Sequence, residues 1–128
     1  MSPRKLITAT LICSFILGAC SQKQKPKLDG FNSELWKKDK KGCEGKRSYL
    51  AEILFSKSSE LKGVDDDDLA DLLGKPEKIN WEERGKKTYY YYLQPGSQCD
   101  NKMMLEGAQL AVEFDALGRV KMVTEQKF

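Results

Sequence analysis

A change of hydrophobic period near residue 76 constrains the fold of this chain more than any other feature. Upstream of it apolar residues recur with helical spacing, and from Ile79 onward they recur at every second position. Helices that precede strands, instead of alternating with them, build an α+β domain whose helices cover one face of an antiparallel sheet. The expected architecture is a two-layer sandwich, with two or three N-terminal helices packed on a three- to four-stranded antiparallel sheet.

The helical part divides into three. Phe31 to Asp39 begins with Asn32 or Ser33 as a cap before Glu34, Leu35 and Trp36. The stretch Lys40 to Gly45 interrupts it and sets Cys43 among glycines. A second helix starts near Lys46, with Tyr49, Leu50, Ile53 and Leu54 on one face, and stops before Gly63. The third follows Val64 and four consecutive aspartates. Asp65 fits the N-cap and Asp68 the N3 position, while Val64 and Leu69 take the staple positions. Leu69, Leu72 and Leu73 form its apolar face, and Gly74 and Pro76 end it. A calcium loop would alternate its ligands, turn at a glycine and close on a distant glutamate. The contiguous run Asp65–Asp68 instead enters a helix, so no metal is expected there.

Past residue 78 the strands are short. Ile79-Asn80-Trp81 reads as an edge strand and Thr88 to Leu93 as a strand rich in tyrosine. Ser97 to Gly107 reads as a loop holding Cys99 and the apolar trio Met103-Met104-Leu105. Gln109 to Asp115 alternates, with Leu110, Val112 and Phe114 on the buried side. Asp115 to Gly118 is a hairpin turn, and Val120, Met122 and Val123 carry the last strand.

The N-terminus has a different character. Arg4 and Lys5 precede a largely apolar run from Leu6 to Leu17, which ends in Leu17-Gly18-Ala19-Cys20. The run is shorter than the roughly 20 residues needed to span a bilayer. Its three-part design is that of a secretory signal, and its end resembles the lipobox of bacterial lipoproteins. The resemblance implies cleavage after Ala19, removal of residues 1–19 and acylation of Cys20 with palmitate-type chains. Two or more such chains give stable anchoring. Ser21, in place of an aspartate, implies the outer membrane, with the leaflet face left open. Residues 20–30 then read as a lipidated flexible tether and 31–128 as one domain. The lysines of the tether serve either as a plain spacer or as contacts to anionic head groups.

Removing Arg4 and Lys5 with the signal lowers the net charge from +3 to +1. Such a balance gives no support for a nucleic-acid partner. The roughly 110 residues that remain fit a single domain. Of the four cysteines, Cys43 and Cys99 are left as an even pair in an oxidising compartment. With no histidine and no Cys-x-x-Cys spacing, a disulfide is expected in preference to a metal site. Closing that loop is worth roughly 4 kcal/mol in the chain-entropy account.

Leu61-Lys62-Gly63-Val64 with the aspartate run, followed by Leu69 and Leu72-Leu73-Gly74-Lys75-Pro76, resembles the helix and Leu-Gly-x-Pro signature of the SmpA/OmlA (BamE-like) outer-membrane lipoprotein family. The likeness continues through Tyr89-Tyr90-Tyr91-Tyr92, Gln94-Pro95-Gly96, Leu110 to Asp115 and Gly118-Arg119-Val120, and so covers roughly residues 61–123. It implies two helices on a three-stranded antiparallel sheet and a role in envelope assembly. The segment Phe31–Ser59 and the cysteine pair depart from that pattern.

No arrangement of residues points to catalysis. Lacking histidine, the chain has no imidazole base, and it has no phosphate-binding glycine loop or nucleophile elbow. We therefore expect a non-enzymatic protein without a cofactor, acting as an envelope adaptor for a protein partner. The alternatives are a tethered inhibitor of a hydrolase of the lysozyme or β-lactamase type, and a glycan-binding surface lipoprotein. The binding face is expected among Tyr89, Tyr90, Tyr91 and Tyr92, extended by Trp81, since outward aromatics anchor interfaces. Alternate rings of a strand point to opposite sides, and the sequence leaves open which pair is outward. Oligomeric state is also left open.

Overall fold

The computed structural model describes residues 25–100 and 107–128. Among these residues four short α-helices precede a four-stranded antiparallel sheet: α1 (Ser33–Lys38), α2 (Lys46–Ser56), α3 (Ser58–Leu61), α4 (Asp66–Leu73), β1 (Lys78–Trp81), β2 (Lys87–Tyr92), β3 (Ala108–Phe114) and β4 (Val120–Lys127). The strands lie in chain order β1-β2-β3-β4. The expected α+β layering is thus the architecture found.

Each helix forms for a local reason. Asn32 caps α1, its side chain accepting from the Leu35 N–H at 2.9 Å. Trp36 is the buried anchor of α1, and its indole N–H donates to the Leu73 carbonyl at the end of α4 (3.0 Å). Helix α4 buries Leu69, Leu72 and Leu73 as expected and ends at Gly74. Asp65 holds the expected N-cap position in extended backbone, but its side chain makes no cap hydrogen bond. The next carboxylate, Asp66, accepts from the Asp67 N–H instead.

Helix α2 corrects the predicted face. Its buried stripe is Arg47, Leu50, Ala51 and Leu54, spaced i, i+3, i+4, i+7, while Tyr49 is 51% exposed. The helix is rotated because Arg47 finds partners inside. Its Nε donates to the Trp36 carbonyl (3.1 Å), and Nη1 donates to Glu77 (2.6 Å) and to the Tyr92 carbonyl (3.2 Å).

Leu110, Val112, Phe114 and Val120 line the helix side of the sheet and join Leu28, Trp36, Leu50, Leu54, Leu61, Leu69 and Leu73 in one core. Burying each such side chain contributes about 1.5–3 kcal/mol. The place of Leu28 changes the domain boundary. Read as part of the tether, it is 4% exposed, and the neighbouring Lys25 ammonium meets Asp71 of α4 at 2.8 Å. The packed body therefore begins before residue 31. Strand β4 is also longer than its apolar pattern suggests. Past Val123 its residues are polar and largely exposed, and backbone pairing with β3 carries them on to Lys127.

A candidate binding face on the sheet

Pairing sorts the tyrosines. Tyr89 lies opposite Val112 and Tyr91 opposite Leu110, so both point to the helices; Tyr90 opposes Ala111 and Tyr92 opposes Gln109 on the other face. Tyr91 is wholly buried, its ring edge-on to Trp36 (centroids 6.1 Å apart) and its hydroxyl donating to the Gly74 carbonyl at 3.0 Å. Burial pushes that phenol well above its ordinary value, and the Glu77 carboxylate adds to the shift, so it acts only as a donor. Tyr89 packs edge-on against Phe114, centroids 4.6 Å apart.

The face turned away from the helices carries the accessible aromatics. Tyr90 is half-buried, with the Lys78 ammonium 5.4 Å from its ring centre. Tyr92, also half-buried, packs on Phe128, centroids 5.3 Å apart. The two rings meet across Gly107, which pairs with Phe128 through two backbone hydrogen bonds (3.2 and 3.1 Å). A Cβ on Gly107 would fall into the Phe128 ring, so only glycine permits this contact. Met122, opposite Glu113, adds a further exposed apolar group on this face. Ala111, small and flanked by Tyr90 and Thr124, is fully buried between them. The result is a partly exposed strip of Tyr90, Tyr92 and Phe128, with Met122 on the same face beside Glu113.

Trp81 does not extend this strip. It opposes Lys87, which faces the helices, and so it stands on the other side of the edge strand, 66% exposed. There the Lys87 ammonium lies 5.2 Å from the ring centres of Trp81 and Tyr89 and 5.6 Å from that of Phe114, and is ion-paired with Asp66. Burial works to raise the Asp66 carboxyl, but the hydrogen bond and charge of Lys87 outweigh it and hold the group below its ordinary value. Burial likewise works to lower Lys87, yet Asp66 and Tyr89 leave it raised. One member of the aspartate run is therefore a strut between α4 and β2. Among the described residues no group of three or more Cys, Asp or Glu side chains is placed to hold a metal ion.

A buried polar network supports the strip from behind. Strand β1 pairs with β2 no further along than Tyr90, so the Tyr92 backbone groups on that side need other partners. Glu77 Oε2 accepts from the Tyr92 N–H (3.3 Å) and Arg47 donates to its carbonyl. Asp39, fully buried, accepts from the N–H groups of Glu44 (2.7 Å), Lys46 (2.8 Å) and Arg47 (2.9 Å), capping α2 from a distance. The turn between Asp39 and α2 presses on β2. A Cβ on Gly42 would come within 2.8 Å of the Tyr92 carbonyl oxygen, and its φ of +67° also calls for glycine. Cys43 in this turn and Cys99 are at disulfide distance, with Cα atoms 5.8 Å apart.

Asp39, Arg47, Glu77 and Phe128 were not singled out by sequence reasoning. Phe128 had a signal, since it continues the period-two series Met122, Thr124, Gln126. The three charged residues had none, because nothing local distinguishes them from surface charge. Cys20, Ala19 and the trio Met103-Met104-Leu105 lie outside the described residues. Among the described residues no helix is long and apolar enough to cross a membrane. No family model, curated protein or solved structure matches this chain.

Proposed function

We propose that this chain is an outer-membrane lipoprotein, held by acyl chains on Cys20, whose small domain is a non-enzymatic adaptor binding an envelope protein across the sheet face of Tyr90, Tyr92, Phe128 and Met122. The observation that carries the reading is that strip: accessible aromatics on a face the helices leave uncovered, braced from behind by a buried ionic network. Aromatic groups on a rigid surface supply most of the energy at protein interfaces. The lipobox and the SmpA/OmlA-like signature support the location and the envelope role, the latter as analogy alone.

The tagged chain, purified from solubilised envelopes, should bring down integral outer-membrane protein, and Tyr90→Ala with Tyr92→Ala should lose it. Both rings are partly exposed, so the double variant should remain folded. Unchanged recovery by the double variant would refute this face. Recovery of a soluble hydrolase, inhibited by added protein, would favour the inhibitor alternative. Metabolic labelling tests the anchor separately. Radiolabelled palmitate should enter the wild-type chain and not Cys20→Ala, and an unlabelled wild-type chain would contradict the anchor.

A further inference from the structure

The two edges of the sheet differ. The outer strand β4 bears Lys121, Glu125, Gln126 and Lys127 exposed, the charged finish that discourages pairing with another chain. On the other edge, β1 is exposed at all four positions, and it carries Ile79 (42% exposed) and Trp81 (66%) side by side on its helix-side face. Among the described residues its backbone also has no partner on the outer side. The Glu82 N–H donates to the carbonyl of Lys86, the residue directly opposite it, at 2.9 Å. Hydrogen-bonded and non-hydrogen-bonded pairs alternate along an antiparallel ladder. Asn80 and Lys78 therefore bond inward to β2, while Ile79 and Trp81 turn their N–H and C=O groups outward.

We infer that β1 is a homodimerisation edge, pairing antiparallel with β1 of a second copy about a two-fold axis at Asn80. In this register Ile79 bonds across to the partner's Trp81 and Trp81 to the partner's Ile79. Each aliphatic side chain then packs on an indole, a favourable cross-strand pair. On the opposite face Lys78 stands across from the partner's Glu82, and the symmetry makes that ion pair twice. Sliding the axis to Ile79 or Trp81 keeps the backbone bonds but separates Lys78 from Glu82, so charge complementarity selects Asn80. The same patch meets itself, as a two-fold interface requires, and the two sheets merge into one of eight strands. Four residues from each edge bury much less than the roughly 1,600 Å² of a standard interface. The dimer is accordingly weak and concentration-dependent, and it leaves the Tyr90–Tyr92 strip accessible.

Directed cross-linking tests the register. In the full chain purified in mild detergent, with Cys13 and Cys20 changed to serine, Asn80→Cys puts two thiols opposite each other across the axis. Mild oxidation should then give a covalent dimer, and Ser59→Cys, exposed on α3, should give none. Lys78→Glu or Glu82→Lys alone should slow cross-linking by about fivefold or more, and the two reversals together should restore it. All these positions are exposed, so the variants should fold. Cross-linking at Asn80→Cys no faster than at Ser59→Cys, insensitivity to either single reversal, or failure of the double reversal to restore the rate would each overturn the inference.

Discussion

Asp39 shows how much one side chain can organise. The N-cap of helix α2 is Gly45, in the left-handed region, which supplies no side-chain cap. Asp39 takes over from several residues upstream and satisfies two N–H groups that the first turn of the helix leaves open, those of Lys46 and Arg47, together with the Glu44 N–H just before it. The contact also fixes where Arg47 lies, and through Arg47 the Tyr92 carbonyl. Asp39→Ala leaves those donors buried without a partner and should cost about 2–4 kcal/mol. A shift of the urea midpoint with unchanged slope checks this; a change below about 0.5 kcal/mol would mean the cap is dispensable.

Among the elements, the joint between α4 and β2 depends on the Asp66–Lys87 pair, whose side chains are 28% and 10% exposed. Because the folded Asp66 carboxyl sits below its ordinary value of 3.8, its contribution is present above that pH and is lost as pH falls through the folded value. Lys87 behaves in the opposite sense: raised above 10.5, it stabilises below that pH and loses its effect as pH rises through the folded value. Asp66→Asn should be less stable than wild type by about 1 kcal/mol at neutral pH. The gap should narrow as pH falls below the ordinary value of 3.8 and through the lower folded value; chemical denaturation at pH 7 and along a descending acid series measures it, and a gap of constant size would contradict the assignment. The elements themselves were largely legible in the sequence, because apolar period is a direct consequence of which face is buried. Leu69, Leu72 and Leu73 declared α4, and Leu110, Val112 and Phe114 declared β3. Apolar period misplaces the face of helix α2 because Arg47 is charged and Ala51 small, so neither stands out as a core residue. The tether was overextended because Leu28 is a lone apolar residue among polar ones, and its burial depends on distant helices. In the candidate strip, the tyrosine run marked the strand, but only the register with β3 decides that Tyr90 and Tyr92 point outward.

For the whole molecule, the helical layer and the hydrogen-bonded network of Asp39, Arg47 and Glu77 back one partly aromatic sheet face. The sheet's two edges are differently finished. The proposed adaptor role rests on that face. Site-specific photocross-linking in intact envelopes tests this account most directly, with a benzophenone side chain placed at Tyr90 or Tyr92 and, for comparison, at Asp71 on α4. Positions 90 and 92 should cross-link to an envelope protein and position 71 should not. Cross-links confined to position 71, or none from 90 and 92, would contradict it.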